Sequence, residues 1–116
     1  MVNYLDYKYG RREKLYRRSY YIDNALLTQL ETLSKIYRVR VPDLINDSVE
    51  DLIQSDHIEV YKRDESELSM KYTVLIRESN LQGLEDLNKR YSISLSKLVN
   101  IAIRQKFSRV RDENKP

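Results

Sequence analysis

The sequence predicts a mostly helical fold with a two-stranded antiparallel β-ribbon, built from two strand–helix–helix repeats in one chain. Three observations predict this fold. The chain matches itself without gaps at a displacement of 54 residues, and nine pairs between residues 17–53 and 71–107 are identical, among them Ile22 with Ile76 and Asn46 with Asn100. Alternating runs favour a strand at the start of each copy, whereas the later apolar residues recur at helical spacing. Only two Gly and two Pro occur in 116 residues, which disfavours turn-rich sandwich folds.

Each repeat opens with a strand and a first helix. The strands are predicted over residues 17–22 and 71–76, where β-branched and aromatic side chains alternate with polar ones. Asp23 offers an N-cap to the first helix, and Glu78 and Ser79 lie near the equivalent place in the second copy. An apolar stripe at helical spacing follows. It comprises Leu26, Leu27, Leu30, Leu33 and Tyr37 in one copy and Leu81, Leu84, Leu87 and Tyr91 in the other.

A second helix follows a short break in each copy. Pro42 suits the first turn of this helix, where its missing N–H costs nothing, and Ser94 or Ser96 can cap the counterpart. One copy alone would leave its strand unpaired and its apolar helix faces uncovered. Two copies in one chain solve both problems if the strands pair antiparallel and the four helices share a core. The repeat therefore predicts a pseudo-dimer within one chain.

The repeat divides the chain into five segments. A basic, tyrosine-rich arm precedes the first copy, a polar linker joins the two copies, and a short polar tail ends the chain. The predicted boundaries are 1–16 for the arm, 17–53 for repeat one, 54–70 for the linker, 71–107 for repeat two and 108–116 for the tail.

Composition excludes several classes of function. The chain has no Cys, one His and no Gly-rich loop, so we expect no enzyme, no cofactor and no metal site. No apolar run approaches a membrane span, and we expect an intracellular protein with no membrane partner and no small-molecule substrate. Charge is segregated: residues 1–18 carry +4, residues 19–70 carry −6 and residues 71–116 carry +5. Basic surfaces of this kind attract nucleic acid, although solvated helix faces explain the charges equally well.

The second repeat resembles the ribbon-helix-helix family, the MetJ/Arc-type DNA-binding proteins. The resemblance is carried by Lys71-Tyr72-Thr73-Val74-Leu75-Ile76-Arg77-Glu78-Ser79, by the leucines of the next helix, and by Ser92-Ile93-Ser94-Leu95-Ser96-Lys97-Leu98-Val99. Repeat one is a weaker match, and members usually hold one copy and dimerise. The tandem form resembles transcription regulators of hyperthermophilic archaeal viruses. The resemblance implies a sequence-specific regulator of double-stranded DNA, expected to be a repressor in a prokaryotic, virus-infected host.

The resemblance also implies which residues contact DNA. In the register that best fits the family, Arg18, Tyr20 and Ile22, with Tyr72, Val74 and Ile76, face the core. The opposite ribbon face would enter the major groove and contact bases through Arg17, Ser19, Tyr21, Lys71, Thr73 and Leu75. The starts of the second helices would contact phosphates through Arg40, Ser94 and Ser96. Apart from the resemblance, the basic arm offers Arg11 and Arg12 for backbone contacts, and packing on a neighbouring molecule or a frayed end explains the arm equally well.

Several alternatives stay open at this stage. Ser94 and Ser96 are as well explained as helix caps, Tyr21 either reads a base or fills space, and the two ribbon faces are exchanged if the strand register is opposite. Because the two strands differ, we expect a recognised site that is not a perfect palindrome, with self-association at neighbouring sites. Two other functions compete: an antitoxin that regulates its own operon, and a helical protein-interaction module that does not bind DNA.

Overall fold

A computed structural model of the protein describes residues 13–113, and the side chains of residues 13–107 among them. The fold is mostly helical with one two-stranded antiparallel sheet, as the sequence predicts. In chain order the elements are β1 (Leu15–Asp23), α1 (Asn24–Tyr37), α2 (Val41–Ser55), β2 (Ser69–Arg77), α3 (Glu78–Tyr91) and α4 (Leu95–Glu113). None of these helices offers the long apolar stretch that would cross a lipid bilayer.

The two strands form a ribbon centred on one pair of repeat-equivalent residues. Both strands are longer than predicted, with nine residues each. Ser19 lies opposite Thr73, and these residues are 54 positions apart, which is the repeat displacement. The pairing extends evenly from this centre, to Leu15 opposite Arg77 at one end and Asp23 opposite Ser69 at the other. The register of the ribbon is therefore symmetric about the Ser19–Thr73 pair.

One face of the ribbon packs on the helices. Tyr20, Ile22, Val74 and Ile76 are at most 3% exposed, as strand alternation predicts. The first helices add their leucine stripes to the same core, and α2 and α4 pack beside each other through broad apolar faces. All six elements contribute fully buried residues to this core. They include Leu30, Ile45, Val49, Leu84, Leu98, Val99 and Ile103. Each contributes about 1.5 to 3 kcal/mol when it leaves water.

The first helices end in the same way. The residue after α1, Arg38, has φ 55°, and the residue after α3, Ser92, has φ 56°. In each case the backbone N–H of that residue bonds to a carbonyl in the last turn, of Ser34 and of Asn88 respectively. A left-handed residue at this place satisfies carbonyls that the helix end leaves unpaired. The chain thus turns into the second helix at equivalent points of both copies.

The predicted cap at Asp23 is wrong. Its carboxylate makes no capping bond to α1 and is instead 6% exposed, accepting hydrogen bonds from Tyr61 Oη and Arg63 Nε, both at 2.9 Å. The side chain turns away from the helix because the linker supplies a cation and a hydroxyl for it. A buried carboxylate needs such partners more than the helix needs this particular cap.

The first helices are capped by residues that precede the strands. Glu67 Oε1 accepts from the Ala25 N–H, and Glu13 Oε1 accepts from the Ser79 N–H, at 2.9 and 2.8 Å. The residue that follows each glutamate also bonds to the first residue of the same helix. The Leu68 carbonyl accepts from the Asn24 N–H, and the Lys14 carbonyl accepts from the Glu78 N–H. Each glutamate thus caps a helix of the opposite half of the chain. The Ser79 hydrogen bonds hold the pKa of Glu13 below its usual value.

The linker is docked on the helices. Ile58 and Tyr61 pack against the core, and the Arg104 guanidinium lies 4.1 Å from the centroid of the Tyr61 ring. Burial of the ring and the hydrogen bond to Asp23 raise the pKa of Tyr61 to about 12. The segment predicted as a polar tether therefore also braces one end of the ribbon.

Candidate nucleic-acid interface

The outer face of the ribbon is open to solvent over residues 17–21 of β1 and 71–75 of β2. The six residues predicted to contact bases all lie on this face and all are exposed: Arg17, Ser19, Tyr21, Lys71, Thr73 and Leu75. The two hydrophobic residues among them, Tyr21 and Leu75, are 58% and 45% exposed. In residues 13–113 no helix packs over this face. The structure therefore brings these six side chains together on one accessible surface.

The side chains form three cross-strand pairs on this surface. Ser19 and Thr73 share a hydrogen bond of 2.8 Å between their hydroxyl oxygens at the centre. Arg17 lies opposite Leu75 towards one end, and Lys71 lies opposite Tyr21 towards the other. Within the described part of the chain, neither Arg17 nor Lys71 forms an ion pair. Each half of the surface thus offers one unpaired cation beside one bulky, largely apolar side chain.

The prediction that Arg18 faces the core is wrong in part. The residue lies on the helix-facing side of β1 by alternation, yet its side chain is exposed. Its guanidinium lies 5.4 Å from the centroid of the Tyr16 ring and donates to the Arg17 carbonyl at 2.9 Å. A guanidinium without a buried carboxylate partner reaches for water while its stem stays against the protein. Tyr72, the matching residue of β2, is half-buried.

The second helices are tied to the ribbon edges by two asparagines. Asn100 Nδ2 donates to the Tyr21 carbonyl at 2.8 Å, and its Oδ1 accepts from the Asp23 N–H at 2.9 Å. Asn46 makes the same pair of bonds with the Leu75 carbonyl and the Arg77 N–H, both at 3.0 Å. The donors and acceptors of the two sets are 54 residues apart in every case. The amide of each asparagine thereby replaces a neighbouring strand, and the start of α2 or α4 lies beside one end of the ribbon.

The three residues predicted to contact phosphate lie near these helix starts. Arg40 precedes α2, is exposed, and its Nε lies 3.7 Å from the Asp43 carboxylate. Ser94 Oγ accepts from the Lys97 N–H at 3.2 Å, so it caps α4. Ser96 Oγ accepts from the Tyr21 N–H at 3.0 Å, which leaves its hydroxyl hydrogen to donate elsewhere. The capping interpretation therefore holds for Ser94, and Ser96 also secures the strand edge.

A cleft of about 230 Å³ opens where β1 ends and α4 begins. Its lining residues come from the strands, from α4 and from the linker: Tyr21, Asp23, Ser69, Ser96, Lys97, Asn100, Tyr61 and Arg63. The Arg63 side chain is 46% exposed although it pairs with Asp23. Asp23 offsets the charge of Arg63, and Lys97 leaves the wall of the cleft with one further cation.

The structure offers no metal site in its described part, since no three His, Cys, Asp or Glu residues are grouped there as ligands. His57 Nε2 lies 3.2 Å from Glu59 Oε1, and both side chains are 70% exposed. Arg11 and Arg12 lie outside the described residues.

Two pairs of residues that hold the helices and the ribbon together were not predicted from the sequence. Asn46 and Asn100 are identical in the two copies, but their bonds to the strands were not predicted. Glu13 and Glu67 are also 54 residues apart, and they fall outside the repeat boundaries drawn from the apolar pattern. The signal in both cases was identity of a polar residue at the repeat displacement.

Comparison with known proteins gives no match: no family model, no characterised protein and no solved structure is similar to the chain. What the chain does must therefore be inferred from the ribbon and the charges around it.

Proposed function

We propose that the chain is a sequence-specific regulator of transcription that inserts its ribbon into the major groove of double-stranded DNA. The single observation that carries this proposal is the uncovered outer face of the ribbon, with one unpaired cation in each half. By contrast, the backbone groups at the two ribbon edges are bonded to Asn46, Asn100 and Ser96. An exposed ribbon face that carries unpaired cations favours a polyanionic partner that accepts such a ribbon.

The dimensions and chemistry of this face suit the major groove. The groove is about 12 Å wide and admits a two-stranded ribbon. Arg17 and Lys71 supply the donors that read guanine O6 and N7, and the central hydroxyl pair donates to or accepts from any base. Leu75 offers an apolar contact to a thymine methyl group. Tyr21 adds a ring with a polar end beside Lys71.

We also propose that the two halves form a tandem ribbon-helix-helix pseudo-dimer. Three features support it: the register centred on Ser19 and Thr73, the equivalent bonds of Asn46 and Asn100, and the exchanged caps. One chain would then supply a complete ribbon with a helix start at each end. Binding of a single chain to one site, measured by native mass spectrometry, is the expected stoichiometry at an isolated operator.

The experiment is site selection followed by fluorescence anisotropy. The protein selects duplexes from a random pool, and the enriched duplex is titrated beside a scrambled one at about 50 and about 200 mM salt. A preference for the selected duplex at the higher salt supports sequence readout. Equal affinities that collapse together as salt rises would reduce the role to backbone binding, and no binding at either salt would favour the protein-interaction module.

Matched variants locate the interface. Arg17→Ala and Lys71→Ala remove cations from the ribbon face, and we expect each to cost about 1 to 3 kcal/mol on the selected duplex. Lys106→Ala removes the same charge more than two turns along α4, where the ammonium pairs with Asp51, and we expect little change in affinity. Equal effects of all three variants would contradict ribbon insertion. Repression itself is tested by run-off transcription from a promoter that overlaps the selected site.

A further inference from the structure

The two ends of the ribbon carry different chemistry on the same backbone scaffold. At one end Tyr21 and Lys71 face outwards, and at the equivalent positions of the other end stand Leu75 and Arg17. The bases at the two ends would therefore meet an aromatic ring with an ammonium group, or an aliphatic side chain with a guanidinium. These pairs prefer different bases.

The residues flanking the two ends have opposite charges. Asn100 and Asn46 hold α4 and α2 to the ribbon by the same bonds, so the residue three positions before each asparagine occupies the same place beside the strand. That residue is Lys97 in α4 and Asp43 in α2. Lys97 is exposed and lines the cleft beside Tyr21. Asp43 is exposed near Arg40.

Neighbouring groups reinforce this difference. The linker adds Arg63, which is 46% exposed, to the wall of the cleft at the Lys97 end. At the Asp43 end Arg77 bonds to both Asp47 and Glu50, whose side chains are 49% and 44% exposed. Because Arg40 offsets Asp43 and Arg17 is unpaired at the α2 end, a DNA backbone that passes both ends would be attracted at both, and more strongly at the α4 end.

From these contrasts we infer that the chain binds DNA in one orientation, with the α4 end as its electrostatic anchor, on an operator whose two half-sites differ. This inference rests on the proposed function and specifies its ligand as an asymmetric duplex. A regulator built from two identical chains cannot distinguish its two orientations. Here the linker, Lys97 and Tyr21 mark one end of the ribbon.

Directed cleavage of the selected operator tests the orientation. The chain has no native cysteine, so a single introduced thiol carries an iron chelate without competing labels. Leu68→Cys and Lys14→Cys are equivalent positions at opposite ends of the ribbon, and both side chains are exposed. We expect each probe to cut one side of the operator at least tenfold more than the other, a ratio that about 1.4 kcal/mol gives, and the two probes to cut opposite sides.

Equal cutting on both sides by each probe would overturn the inference, and so would selection of a perfectly palindromic operator. Glu65→Cys, an exposed linker position, is a third probe if either of the others fails to fold, and we expect it to cut on the same side as Leu68→Cys. Failure of the proposed function is distinct, because then wild type would select no sequence. Exchange of the flanking charges, Asp43→Lys with Lys97→Asp, is expected to reduce the cleavage ratio at least threefold, and an unchanged ratio would remove the α4 end as anchor.

Discussion

Replacing Asn100 with alanine removes three hydrogen bonds that hold α4 to the ribbon and to its own first turn. Nδ2 donates to the carbonyls of Tyr21 and Ser96, both at 2.8 Å, and Oδ1 accepts from the Asp23 N–H at 2.9 Å. Asn100 and Asp23 are each 6% exposed, so water cannot easily replace the lost partner. Each bond contributes about 1 kcal/mol, and an unpaired buried N–H costs about 1 to 3 kcal/mol. Alanine returns about 0.5 kcal/mol through its helix propensity. We expect the free energy of unfolding to fall by about 2 to 3 kcal/mol.

Urea unfolding followed by the helical circular dichroism signal measures this change. With a urea dependence of about 1 to 3 kcal/mol per M, the midpoint should fall by about 0.7 to 3 M. Gln82→Ala is the matched control, since it deletes an exposed amide from α3 and should change stability by less than about 0.5 kcal/mol. Asn46→Ala should cost at least as much as Asn100→Ala, because Asn46 Oδ1 also accepts from Asn80 Nδ2 at 2.9 Å. A loss below about 1 kcal/mol for Asn100→Ala would refute the role given to this amide.

Three further perturbations follow from packing and charge. Gly83→Ala places a Cβ 2.3 Å from Ile53 Cδ1 and 2.8 Å from Cγ1, so we expect it to destabilise the fold by about 1 to 3 kcal/mol despite the better helix propensity of alanine. The same substitution should cost less in an Ile53→Ala background. Thermal unfolding of the protein with and without Gly83→Ala, in each background, measures both costs. The pKa of Tyr61 is about 12 in the folded chain and about 10 in the unfolded chain, so the contribution of its neutral hydroxyl to stability is complete below pH 10 and disappears as the pH rises to about 12. Between pH 10 and pH 12 the urea midpoint of the Tyr61→Phe variant should therefore fall less than that of the wild type. Arg77→Met breaks both carboxylate contacts of a side chain that is 32% exposed, and we expect a loss of about 1 kcal/mol that shrinks with added salt, whereas a salt-independent loss would point to packing.

The elements and most of their buried faces could be predicted because the hydrophobic period dominates them, although the tyrosines that end the two predicted helix stripes are exposed. Leu27, Leu30 and Leu33 recur at helical spacing, and all are buried. Val74 and Ile76 alternate with exposed residues in a strand, and both are buried. The same alternation placed the candidate base contacts on one exposed face. Hydrophobic period is a local property of the sequence, and these features need nothing beyond it.

Polar contacts could not be predicted because they depend on partners far along the chain. Asp23 has the sequence position of a cap, but Tyr61 and Arg63 take its carboxylate. Glu67 caps a helix that begins 43 positions earlier in the chain, which no local capping pattern describes. Arg18 occupies an inward position of the alternation, yet the cost of burying a guanidinium keeps it exposed. The functional role of the ribbon and the orientation on DNA stay predictions.

The hydrogen bond between Asn100 of α4 and the backbone of β1 forms only some time after β1 has been synthesised. The Tyr21 carbonyl bonds to a side chain 79 residues later, and at about 5 to 20 residues per second the ribosome delivers that residue about 4 to 16 s after the strand. For much of this interval β1 lacks its pairing partner β2. Throughout the interval it also lacks Asn100, which bonds to its outer edge. An exposed edge of this kind is a substrate for chaperones and for aggregation. Slowing translation between the two repeats should therefore increase the fraction of nascent chains that chaperones retain or proteases remove.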